Sequence, residues 1–354
     1  MYNYRGNIHI HSQHSDGSAD IPSIAEDAAA AGLHYIIICD HETLDGLPEE
    51  GMHQGVVVMV GAELNNEKNH YLALDIKELL PANNENPQEL INKVSEAGGL
   101  GFIAHPFDRG SRYIEKGKAY PWQDWPVFGA TGMEIWNFSS HWRGLHPNLL
   151  KTLYWFFLNR TGAMKGPPKR LLHLWDCYNM HNHKLVGIGS SDAHAYRYRK
   201  FFFSVVIFTY QYSFSTINTY VILPELLNEQ FSMAKRQILG ALQQGSCYTA
   251  FESLGRAHKF SFRAEAGAVT VLPGGEIILS KEVVLRVESP RKRSLIRLVK
   301  NGMVIMETYG NTLNYSPEVH GLYRVEVYYR PLFGRCRPWI YANPINILPC
   351  CSAK

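Results

Sequence analysis

Apolar positions in the first two hundred residues fall in short, nearly unbroken runs, of which Tyr35-Ile-Ile-Ile-Cys39 and Val56-Val-Val-Met-Val60 are the clearest. Strands buried on both faces read this way, whereas half-exposed strands alternate. Strand candidates cover 7–11, 35–41, 56–64, 70–76, 99–105, 132–137 and 185–191. Helical stretches separate them. Residues 21–31 are alanine-rich and carry Pro22 at a helix-start position. Residues 87–97 close on Gly98-Gly99, and 148–159 and 168–181 follow. Seven strands joined by helical crossovers predict an α/β barrel over residues 1–250. The stretch 196–223 predicts a long loop with one or two strands, and 224–244 a last helix ending at Gly245.

From about Arg256 the helical signal disappears and the strands become short and alternating. Residues 296–300, Asn301-Gly302 and 303–307 form a hairpin signature, since Asn-Gly suits the turn whose twist matches its strands. Residues 251–349 therefore predict a small all-β sandwich.

Composition narrows the picture without redirecting it. A chain of 354 residues accommodates one large domain and one smaller one. A net charge of +3 gives no general argument for nucleic acid or a membrane as partner. The longest apolar stretch, 201–223, is interrupted by Gln211, Ser213, Ser215, Thr216 and Asn218, which excludes a membrane span. Residues 1–7 have no apolar signal core. The six cysteines are scattered without CxxC spacing and read as reduced thiols of a cytoplasmic protein. The tail from Cys351 lacks the aliphatic residues of a prenylation box. Arg291-Lys292-Arg293 reads as a solvated turn.

The chemistry lies at the strand ends. His9 and His11 stand two apart on the first strand and so share a face, with Asp16 five residues on. His41, Glu63 and His105 end the second, third and fifth strands, Asp192 and His194 follow the seventh, and His70 begins the fourth. In α/β barrels functional residues gather at the C-terminal strand ends; His70 departs from that rule. Imidazole suits Zn and Fe, and carboxylates suit harder ions such as Mn. Six histidines and three carboxylates exceed the needs of one ion and suit two or three divalent ions (Zn, Mn or Fe).

These segments, His9-Ile-His11 through Asp16-Gly17, Asp40-His41, Gly61-Ala-Glu63, His70, Ala104-His105-Pro106 and Ser191-Asp192-Ala-His194, resemble the motifs of the PHP (polymerase and histidinol phosphatase) family over roughly residues 5–195. The resemblance implies a distorted seven-stranded barrel and a trinuclear centre. It implies that His9, His11, Glu63 and Asp192 hold one metal, Glu63, His70 and His105 a second, with Glu63 bridging, and Asp16, His41 and His194 a third. Residues 337–345 resemble the end of two-domain members with a C-terminal β-sandwich, some named for carbamate (carbaryl) hydrolysis. Ser12 stands where the family usually has Thr, and His14 is additional.

The expected activity is phosphoester hydrolysis of a small-molecule substrate by a metal-bridging hydroxide. Arg109, Arg143 and Arg197 are candidates for binding phosphate, by position alone, and His14 is a candidate proton donor. Hydrolysis of a carbamate, amide or ester by the same centre is an alternative. So are a DNA-end nuclease, which the near-neutral charge disfavours, and a binding protein with structural metals.

Overall fold

Strand β1 (Tyr2–Ile10) lies within the largest sheet, bonded to a parallel neighbour on one side and an antiparallel one on the other. The computed structural model describes residues 1–111, 117–145, 149–200 and 203–350. The tail from Cys351 lies outside the described residues. After β1 come α1 (Ile21–Ala31), β2 (Tyr35–His41), β3 (Gly51–His53), β4 (Val56–Leu64), β5 (Tyr71–Leu74), α2 (Pro87–Glu96), β6 (Leu100–Ile103), β7 (Gly132–Asn137), α3 (Phe138–Arg143), α4 (Leu149–Phe157), α5 (Lys169–Met180), β8 (Val186–Ser190), β9 (Arg197–Lys200), β10 (Phe203–Val206), α6 (Tyr210–Phe214), β11 (Ile217–Leu223), α7 (Phe231–Gln244) and β12 (Cys247–Phe251).

The helices start and stop where their sequence allows. Asp20 caps α1 by accepting the Ser23 N–H, and Asn86 caps α2 by accepting the Glu89 N–H. Helix α7 begins at Phe231, seven residues later than the pattern predicts, and ends on Gly245 as expected. No described helix is long and apolar enough to cross a membrane. Cys39, Cys177, Cys247 and Cys336 form no disulfide.

The sheet runs in the order β8-β7-β6-β5-β4-β2-β1-β11-β12. Strands β1, β2 and β4 are parallel, as are β6, β7 and β8. Strand β5 runs antiparallel to both β4 and β6, which corrects the expectation of helical crossovers throughout. Only residues 65–70 join β4 to β5. That suffices for a hairpin and is too short for the dozen or more residues a parallel crossover needs.

The sheet curls until β8 meets β1 and β11. The His11 N–H donates to Ala193 O at 2.9 Å, and Ala193 N–H donates to His9 O at 3.3 Å. Gly189 N–H donates to Thr219 Oγ1 at 2.9 Å, and that hydroxyl donates to Gly189 O at 2.7 Å. Ile8, Ile37, Met59, Leu72, Phe102, Ile188 and Val221 meet in one buried core inside the curl. Burial of each such side chain contributes about 1.5–3 kcal/mol.

The C-terminal region is sheet-rich. A four-stranded sheet built from Ser261–Ala266, Val269–Val271, Val284–Glu288 and Thr312–Tyr315 shares one core with strands that continue the large sheet. Strand Arg337–Ala342 bonds directly to β12. The predicted hairpin joins Ser294–Lys300 to Met303–Gly310. Its turn residues have φ of +48° and +79°, the values that favour Asn-Gly.

Candidate metal centre

Glu63, the penultimate residue of β4, is 1% exposed and stands among five imidazoles. Its Oε1 lies 2.7 Å from His70 Nδ1 and 3.1 Å from His105 Nε2. Its Oε2 lies 3.0 Å from His9 Nε2, 3.3 Å from His11 Nε2 and 3.3 Å from His41 Nδ1. Asp192 Oδ1 is 3.5 Å from the Nε2 of both His9 and His11. Asp16 Oδ1 is 3.2 Å from His194 Nε2, 3.6 Å from His11 Nδ1 and 3.9 Å from His41 Nε2. All nine predicted residues are thus brought together.

The antiparallel course of β5 explains His70. A strand reversed against its neighbours presents its start where they present their ends, so His70 joins the cluster from the same rim. His9 and His11 converge by a route that simple alternation does not describe. The register slips between Ile8 and Ile10, His9 has φ of +67°, and His11 lies beyond the strand. His105 and Asp192 also have positive φ, +25° and +52°. Such backbone costs about 1–3 kcal/mol at each residue and collects where function fixes side-chain direction.

The 12–17 loop delivers Asp16. Asp40 accepts the Ser12 N–H at 2.7 Å, the Ser12 hydroxyl at 2.6 Å and the Ser15 hydroxyl at 2.5 Å. Gly17 folds back onto His11, where a Cβ would come within 2.1 Å of the His11 carbonyl oxygen. Behind Asp192, the Ser191 hydroxyl donates to Asn7 Oδ1 at 2.6 Å, and Asn7 Nδ2 donates to Ile217 O and to Asn218 Oδ1.

Burial would push the His9 and His11 imidazoles down, but the carboxylates around them prevail. Glu63, Glu134 and Asp192 hold His9 well above its ordinary value, and Asp192 and Glu63 raise His11 to about 9. His105 is raised to about 9 against the same burial, chiefly by Glu63. The imidazoles in turn hold the Glu63 and Asp192 carboxyls well below the usual range despite their burial. His41 goes the other way, down to about 4, because burial dominates there.

The donor set fits divalent cations. Four groups have ligand atoms all within 4.8 Å of one another: His11, Asp16, His41 and His194; His9, Glu63 and His105; His9, His11 and Asp192; and His41, Glu63 and His70. The buried nitrogens His11 Nδ1 and Nε2, His41 Nδ1, His70 Nε2 and His105 Nδ1 make no hydrogen bond among the described residues. Buried polar atoms are normally satisfied, and a cation would use these lone pairs.

Of the other predicted residues, Arg143 reaches the cluster. It lines a cleft of about 190 Å³ together with Asp108, Tyr120, Ser140 and Tyr196, above the clustered ligands. Its Nη2 lies 3.6 Å from Asp108 Oδ2. Arg197 is exposed at the edge of a neighbouring cavity, and Arg109 lines a different one. His14 is turned away from the cleft and pairs with Glu49 at 2.8 Å. Glu134 is a participant the sequence reading missed. It is buried, its Oε1 takes the His9 Nδ1 hydrogen at 2.7 Å, and its Oε2 accepts the His105 N–H at 2.7 Å and the Asn137 side-chain N–H at 2.8 Å. Its signal was there: a lone carboxylate inside the apolar run 132–136.

A cluster of imidazoles and carboxylates around one central glutamate, at one rim of a curled, mostly parallel sheet, defines a candidate metal centre. Residues 7–125 match the family model of the PHP domain. Over 117 residues the chain is 27% identical to the uncharacterized protein MJ1587 of Methanocaldococcus jannaschii, a match covering 29% of this chain and 68% of that protein. Two solved structures are also similar. One, from Bacteroides vulgatus, is a two-domain protein described as containing a predicted PHP-like metal-dependent phosphoesterase (14% identity, 97% of this chain and 95% of that one, TM-score 0.45). The other is an amidohydrolase from Chromobacterium violaceum (15% identity, 53% and 87%, TM-score 0.31).

Proposed function

We propose that the chain is a metal-dependent phosphoesterase acting on a small molecule, with its metal centre held by His9, His11, Asp16, His41, Glu63, His70, His105, Asp192 and His194. The observation that carries this reading is Glu63, whose two oxygens face separate groups of imidazoles, as a bridging carboxylate's must. A distorted seven-stranded barrel with a C-terminal β-sandwich, divided near residue 250, belongs to the same reading.

Two or three divalent ions there would lower the pKa of bound water and offset charge on phosphoryl oxygens. The protein's own groups do the rest. Asp40 fixes the loop that aims Asp16, and Glu134 fixes the His9 tautomer so that Nε2 faces the centre. Arg143 borders the cleft, where its fork suits a phosphoryl group bidentately. Tyr196 stacks on His194 with ring centroids 4.5 Å apart and donates to Asp16 Oδ2 at 3.0 Å, closing one side.

The test is turnover of 4-nitrophenyl phosphate, abolished by chelation, restored by Mn or Zn, and lost in His9→Ala. Turnover of aryl carbamates with none of phosphates would overturn the phosphoester reading in favour of carbamate hydrolysis. Stoichiometric metal with no turnover of either would make the centre structural.

A further inference from the structure

Beside the cleft lies a larger cavity of about 490 Å³. The two share Arg143, Asp192, His194 and Tyr196. The volume falls in the range of small-molecule sites, about 300–1,000 Å³. Its apolar walls are Phe138 and Trp142 from α3, and Ala195, Ile207 and Phe208 from the segment after β8, while Ser139, Ser191, Arg197 and Ser213 also line it. The Phe208 ring meets Trp142 edge-to-face at 4.7 Å and Phe138 at 5.2 Å, a packed aromatic corner.

We infer that this cavity binds the alcohol part of the substrate, and that this part is an apolar ring, so that the substrate is a phosphate ester of an aromatic or aralkyl alcohol. The inference rests on the phosphoester reading for the phosphoryl half and on the cavity for the other half. Position comes first: a phosphoryl group over Asp192 and His194, beside Arg143, directs its ester oxygen toward a space that those residues border. Polarity comes second. A polyol would need hydrogen-bond partners for each hydroxyl, and buried hydroxyls without them are costly. The aromatic side of the cavity offers none, and of the polar groups on its other side the Ser191 hydroxyl is already committed to Asn7. An apolar ring needs none and gains from burial against Phe138, Trp142 and Phe208. In the reaction, the water oxygen bonds to phosphorus as the bond from phosphorus to the alcohol oxygen breaks. One water proton ends on the alcohol and the other on the phosphate, with no change of oxidation state.

The experiment compares 2-phenylethyl phosphate with glycerol 3-phosphate on the metal-loaded protein, since both release an aliphatic alcohol. Binding of 2-naphthol to the same loaded protein is measured separately by calorimetry. The variants are Phe208→Ala, which opens the aromatic corner, and Ser139→Phe, which narrows the cavity from the α3 side; neither residue belongs to the proposed centre. The expected result is a KM at least tenfold lower for 2-phenylethyl phosphate. Each variant should raise that KM and weaken 2-naphthol binding fivefold or more, while the KM for glycerol 3-phosphate changes less than twofold. Equal KM values for the two esters, with 2-naphthol unbound, would overturn the inference and leave phosphoester hydrolysis standing. Binding of 2-naphthol that both variants weaken, without hydrolysis of either phosphate, would uphold the aromatic cavity and overturn the phosphoester reading. Thermal melts of both variants exclude unfolding as the cause of any loss.

Discussion

Glu134 Oε1 lies 2.7 Å from His9 Nδ1, with both side chains fully buried. With its Nδ1 hydrogen given to Glu134, His9 presents Nε2 beside Glu63 and Asp192, where a bound metal ion would take its lone pair. Outer partners of this kind set tautomer and ring angle, and removing one typically lowers metal affinity about 10- to 100-fold. Glu134→Gln keeps the shape but sets an amide against that hydrogen. It is expected to lose metal affinity by that factor, measured by competition with a chelator of known strength. Unchanged affinity would show that the ring is oriented by its packing alone.

Glu63 and His194 differ in how many groups they serve. Glu63 takes part in two of the four ligand groups and touches five imidazoles, whereas His194 takes part in one group. Metal content after dialysis should therefore fall further in Glu63→Gln than in His194→Ala, with His194→Ala losing no more than one ion per chain. Equal losses in the two variants would remove the bridging role from Glu63.

Arg324 ties the C-terminal strands to α5. Its Nε and Nη2 donate to the two oxygens of Asp176 at 2.6 and 2.8 Å, and Nη1 donates to Glu326 at 2.7 Å, all largely buried. Asp176→Ala leaves part of that charge uncompensated, and breaking a buried pair in this way costs about 3–5 kcal/mol. Denaturant unfolding should show a loss of that order. A double variant with Arg324→Met should recover part of it, because the unpaired guanidinium is then gone; the recovery is incomplete because Glu326 keeps only the Tyr328 hydroxyl of the contacts described.

His34 gives a pH signature away from the metal cluster. Its Nδ1 accepts the Arg5 N–H at 3.1 Å, and burial pushes its pKa below the ordinary 6.5. The unfolded chain then binds a proton that the folded chain resists. This contribution is present above about pH 6.5, and is lost as pH falls toward the depressed folded value. In unfolding titrations the wild type should lose stability relative to His34→Gln across that window. Parallel curves for the two proteins would count against it.

Much of the fold was legible because its signals are local. The continuous apolar runs place β2, β4 and β7 to the residue, and Asn301-Gly302 places its hairpin. The reversal of β5 was not read: its apolar run reads alike in either direction, and the one signal lay in the connection before it, too short for a parallel crossover. That reversal is also what made His70 look misplaced. Arg109, Arg143 and Arg197 were indistinguishable by position, and only tertiary packing brings Arg143 over the cluster. His14 sits next to a motif yet turns toward Glu49, because proximity in sequence does not set side-chain direction. Glu134 was overlooked for the opposite reason: it lies in the middle of a strand, where functional residues are not expected.

Strand β12 bonds along one edge to β11 and along the other to Arg337–Ala342. Mechanically, the two ends of the molecule are therefore one riveted plate, and swinging one against the other would tear a row of backbone hydrogen bonds. A chain cut just after β12 would bare that row, and an open strand edge is a template for pairing with another copy. Such a fragment would clump with itself rather than stay dispersed, even with every residue of the histidine cluster still in it.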